Sequence, residues 1–150
     1  MAAFHEIDGK GRLVGEGFRC WLAGYHTGDI ASWEIAFESY SAELGATGAR
    51  QAIGDLGFWC RTLWHCRARQ IEVFPPNCRL YCRDECLAIA MIGSLQYQRG
   101  DIARRCAAVL LGVETAPDTV IDMASMFAAG LDRLGVVLPK KVAVHAPIAA

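Results

Sequence analysis

No stretch of this chain is apolar for long enough to cross a bilayer. The longest wholly apolar run of its most hydrophobic region, Leu87 to Gly93, falls far short of the roughly 20 residues a spanning helix needs. Net charge is nearly absent too. Fifteen basic and 16 acidic side chains leave −1, so there is no overall positive field of the kind that draws nucleic acid or an anionic membrane. The N-terminus, Met1 to Lys10, meets charge and glycine before an apolar signal core could form, and the expectation is a cytosolic protein.

Several chemical signatures are also missing. There is no Gly-x-Gly-x-x-Gly turn, Walker loop, Gly-x-Ser-x-Gly elbow or His-Glu-x-x-His, which argues against common nucleotide and hydrolase chemistries. The lack of any Glu-x-x-His removes a ferritin-like di-iron centre, and no Cys-x-x-Cys knuckle occurs. Internal repeats and low-complexity runs are absent.

What remains is a chain of 150 residues, 53% hydrophobic and 21% charged, enough to build one globular core over 1–150. Its punctuation reads as an all-α bundle of five or six helices. Asp8-Gly9, between two short apolar pieces of Phe4 to Val14, predicts an N-terminal hairpin or arm over 1–16. Phe18, Trp21, Leu22 and Tyr25 then mark a short helix ending near Gly28. Asp29 and Gly45 bracket a second helix, whose stripe of Ile30, Trp33, Phe37, Tyr40 and Leu44 is expected to face the core.

A third helix is predicted from Gly48 to about Arg69, with Ile53, Leu56, Cys60 and Leu63 on one side, before Pro75-Pro76 enforces extension. Asn77 is expected to cap a fourth over 78–98. Its middle, Cys86 to Leu95, is apolar all round and marks the central helix. Gly100-Asp101 and Gly112 frame a fifth helix, and Pro117 and Gly135 a sixth with the seam Val120, Met123, Ala124, Phe127, Leu131 and Leu134. The tail, 136–150, carries two prolines and is expected to be extended and docked.

Chemistry concentrates in the cysteines. Five of the seven fall between Cys60 and Cys86. Thiolate is both a soft-metal ligand and the nucleophilic form of cysteine, so the cluster suggests a site for zinc or another thiophilic metal, or redox sensing. On a helix from Cys78, residues four apart share a face, so Cys78, Cys82 and Cys86 are the candidate ligands, with Cys66, Cys60 and His65 as completing groups. Cys60 and Cys66 point roughly 120° apart on a continuous helix and cannot both face the fourth unless the third ends early. Against this stands the tendency of free cysteine to pack as a small hydrophobe.

Arg61, Arg67, Arg69, Arg79 and Arg83 gather around the proline segment, either as an anion-binding patch at a helix N-terminus or as a solvated face neutralised by Glu72, Asp84 and Glu85. Trp21, Trp33, Trp59 and Trp64, with Phe18 and Tyr25, either line a pocket for an apolar ligand or fill the core. No catalytic set is legible. The leading expectation is a small accessory or regulatory protein using its cysteine cluster. The alternative is a metal-free helical module that binds a protein partner or a second copy of itself.

Overall fold

The computed structural model describes residues 5–6 and 9–140. Among them five helices pack into an all-α bundle: α1 (Lys10–Thr27), α2 (Ala31–Cys66), α3 (Arg83–Gln96), α4 (Gly100–Leu111) and α5 (Asp118–Arg133). The described strands are β1 (His5–Glu6) and β2 (Leu80–Tyr81), which pair antiparallel with His5 opposite Tyr81. Helix α3 contacts α1, α4 and α5, while α2 packs against α1 and α5. As its composition requires, α3 is buried without a break from Leu87 to Ser94.

Glycine sets several boundaries. Gly28 ends α1 with a left-handed φ of 75°, its N–H donating to the Gly24 carbonyl at 2.8 Å. Gly45, with φ 78° and ψ 168°, is non-helical and divides α2 into two helices that meet at a kink, at the boundary expected from the sequence. Leu56, Trp59, Cys60 and Leu63 of α2 meet Phe127 and Leu131 of α5 in the core.

Four expectations need correction. The hairpin over Phe4 to Val14 does not form. Gly9 turns the chain directly into α1, where Leu13, Val14 and Phe18 supply a buried face, and β1 finds its partner in β2 instead. The fourth helix begins at Arg83 rather than Cys78, because the turn after Pro75-Pro76 leads into β2 first. The third ends at Cys66, three residues before Arg69. The second helix's stripe is only partly core: Tyr40 is buried, but Ile30 is 61% and Phe37 39% exposed. The segment after α5 does dock, for Gln96 bonds both Val136 and Leu138, and Tyr97 donates to the Leu138 carbonyl. Residues 141–150 of the expected tail lie outside the described residues.

Candidate functional site

The cysteine-rich region is organised by a buried ion pair. Arg19 of α1 is 1% exposed and Glu85 of α3 is fully buried, with Arg19 Nε donating to Glu85 Oε2 at 2.7 Å. Nη2 donates a second bond to Glu85 Oε1 at 3.0 Å, and Nη1 and Nη2 also donate to the carbonyls of Cys78 (2.7 Å) and Leu80 (2.8 Å) respectively. Glu85 also accepts from the backbone N–H groups of Phe74 (3.0 Å) and Cys82 (2.9 Å). One residue earlier, Asp84 accepts from Arg69 at 2.5 Å and from the Glu72 N–H at 2.8 Å. Residues 67–82 thus form a strap held by carboxylates from the first turn of α3, and Glu85 also takes the N–H of Cys82, the residue that caps that helix.

This answers the question of an anion site at that helix start. The anions are the chain's own. Arg69 is committed to Asp84, and Arg19, which the sequence does not single out, holds the centre. The signal that reveals it is the spacing Cys82-Arg-Asp-Glu85, a capping box with cysteine in the place of serine or threonine.

The six candidate ligands are distributed as follows. Cys60 is buried in the last two turns of α2, whereas His65 is exposed near its end and Cys66 is its last residue. Cys78 sits in the turn after Pro75, its N–H donating to the Pro75 carbonyl at 3.0 Å. Cys82 caps α3 and its thiol donates to the Glu72 carbonyl at 3.4 Å, while the Cys86 thiol reaches the Tyr81 carbonyl at 3.8 Å. Because Cys78 precedes the helix, the three do not form a row on one face. Among the described residues no group of three or more His, Cys, Asp or Glu side chains is set to hold an ion.

All seven thiols are free. Burial pushes Cys82 and Cys86 up to about 12, aided at both by the charge of Glu85, and Cys20 and Cys106 up to about 11. Burial alone raises Cys60 well above its ordinary value. This is the electrostatic opposite of an activated thiolate site.

A different cluster emerges where α1 and α2 meet. The ring of Trp21 stacks on Trp33, with centroids 4.7 Å apart and planes 5° from parallel. Tyr25 meets Trp33 edge-on at 5.5 Å and stacks on Trp64 at 5.3 Å. The Arg67 guanidinium lies 3.5 Å from the centre of the Trp64 ring, and His26 touches the same ring at 5.1 Å. All four aromatic residues of this ladder are only partly buried. Phe18 and Trp59, by contrast, lie fully in the core.

Local sequence explains the ladder. Trp21 and Tyr25 are one turn apart on α1, and Trp33 opens α2 after the tight turn at Gly28. Gly24 permits the close approach: a methyl group there would stand 2.1 Å from Trp33 Nε1. The Trp33 indole donates to the Trp21 carbonyl at 3.1 Å, and His26 Nε2 bonds the Ile71 carbonyl at 2.9 Å, tying the ladder to the strap. Ile30 and Phe58, 61% and 57% exposed, belong to the same two ends of α2. Elsewhere a cleft of about 620 Å³ beside Lys10 holds the Arg12–Glu16 ion pair, with the Ser39 hydroxyl donating to Glu16.

No family model, curated protein or solved structure matches this chain.

Proposed function

We propose that this protein is a non-catalytic helical module that docks a protein partner on the Trp21, Trp33, Tyr25 and Trp64 ladder. The carrying observation is the ladder itself: four stacked, half-buried aromatic residues with an arginine over the last, at a surface position. Tryptophan, tyrosine and arginine are the residues that dominate binding energy at interfaces, because they present large rigid area with a polar handle. Packing against each other fixes the rings before a partner arrives, so little side-chain entropy is lost on docking. The strap beneath supports this surface through His26 and Ile71. On this reading the cysteines serve as small hydrophobes and as the α3 cap.

The test is site-specific photo-crosslinking in cells, with the photoreactive residue placed at Phe58 or His65 beside the ladder, or at Arg104 on α4. Docking predicts a discrete crosslinked partner from the first two positions and none from the third, competed by wild-type protein but not by the Trp64→Ala variant. Crosslinking that is equal at all three positions, or insensitive to Trp64→Ala, contradicts it.

A further inference from the structure

Among the described residues, two arginines flank the ladder without a counter-ion. Arg61 is exposed on α2, one turn after Gly57, which lies beside the Trp21 indole, and one turn before Trp64, so the three share a face. Burial raises the Tyr25 hydroxyl above its ordinary value, and the nearby charge of Arg61 offsets part of that rise. Arg67 spends its guanidinium on neutral groups, the Trp64 ring and the Trp64 carbonyl. Arg12, Arg19, Arg69, Arg99, Arg104 and Arg105 each meet a carboxylate, whereas Arg50, Arg79 and Arg133 share with the two ladder arginines the lack of an ion pair among the described residues. No ion pair among the described residues includes Arg61 or Arg67.

We infer that the ladder receives an acidic segment of a partner protein, its apolar side chains against the ring edges and its carboxylates on Arg61 and Arg67. This rests on the docking function proposed above and specifies its partner's chemistry. Guanidinium groups bind carboxylates through two parallel hydrogen bonds, and a cation already resting on an aromatic face keeps its N–H donors at the rim free for such a bond. Single-stranded nucleic acid would also be drawn by arginine and aromatic rings, but it needs open ring faces on which bases stack. Here Trp21 and Trp33 cover one another, and Trp64 has Tyr25 and Arg67 against its ring. Edges suit a peptide's side chains better than a base.

Random dodecapeptides displayed on phage can be selected in parallel on the intact wild-type protein, on Trp64→Ala and on the double variant Arg61→Gln/Arg67→Met, each checked by circular dichroism. The expected wild-type pool is rich in Asp and Glu interspersed with Leu, Phe or Trp. Its members should bind the double variant at least about tenfold more weakly and lose affinity between about 50 and 500 mM salt. Ladder-dependent peptides without acidic enrichment, bound equally by the double variant, would overturn the acidic partner and leave docking intact. Peptides indifferent to Trp64→Ala, or no enrichment over a blank surface, would overturn both. Binding of an oligothymidine that Trp64→Ala abolishes would replace the acidic peptide by nucleic acid. The double variant changes the ends of one exposed and one half-buried side chain outside the core, so with its fold checked by circular dichroism it decides the matter even if Trp64→Ala fails to fold.

Discussion

Replacing Glu85 by alanine removes one carboxylate on which four donors converge: Arg19 Nε and Nη2, at 2.7 and 3.0 Å, and the Phe74 and Cys82 N–H groups, at 3.0 and 2.9 Å. The guanidinium stays buried with only the Cys78 and Leu80 carbonyls as partners. Breaking a buried pair from one side costs about 3–5 kcal/mol, because a charge is left without compensation, and each stranded amide adds about 1 kcal/mol or more. A domain of this size is stable by about 5–15 kcal/mol in all. The variant should therefore lose at least about 3 kcal/mol, and its Tm should fall by roughly 6–20 °C. Urea titration followed by far-ultraviolet circular dichroism measures it. The double variant Arg19→Met/Glu85→Leu no longer buries a lone charge and should lose less than the sum of the single changes Arg19→Met and Glu85→Leu. A Glu85→Ala loss under about 1 kcal/mol, or additive single changes, would refute the view that this pair holds the strap.

Thiol reactivity should follow burial. At pH 8 a thiol with a pKa near 12 is about one part in ten thousand thiolate, so native Cys82 and Cys86 should alkylate far more slowly than in urea, as mass spectrometry after brief iodoacetamide treatment will show. Because the folded pKa of Cys60 lies above the unfolded value, its contribution to stability is complete below about pH 9. It is lost as pH rises further, at about 1.4 kcal/mol per pH unit per such thiol, and urea midpoints from pH 7 to 11 should be flat and then fall. Ser94 Oγ is buried with no partner among the described residues, so Ser94→Ala should stabilise by about 1 kcal/mol, visible as a raised urea midpoint.

Much of the bundle is legible in the sequence, because punctuation and periodicity agree over most of it. Gly28, Gly112 and Gly135 each stop a helix with positive φ, and the α5 seam from Val120 to Leu131 buries as its spacing demands. The errors share a cause. Local propensity cannot see which distant carboxylate takes a free N–H. Cys78 and Cys82 look like one helical row until Glu85 caps the Cys82 N–H and sets the start of α3 at Arg83. Arg19, lying among apolar residues of α1, gives no local sign that it crosses to Glu85, 66 positions away. The ladder needs α1 and both ends of α2 at once, and only Trp21 with Tyr25 is readable as a pair from spacing. Ile30 and Phe37 fit the helical period of a core stripe yet face solvent. Periodicity specifies a face but not whether another helix covers it.

The protein contains four tryptophans, three in the ladder and Trp59 in the core, which makes fluorine spectroscopy the most direct test. With 5-fluorotryptophan incorporated, titration of a selected acidic dodecapeptide should shift the resonances of Trp21, Trp33 and Trp64 together and leave Trp59 in place. Movement of Trp59 alone, or saturable binding with the three ladder signals unmoved, would contradict docking at this surface.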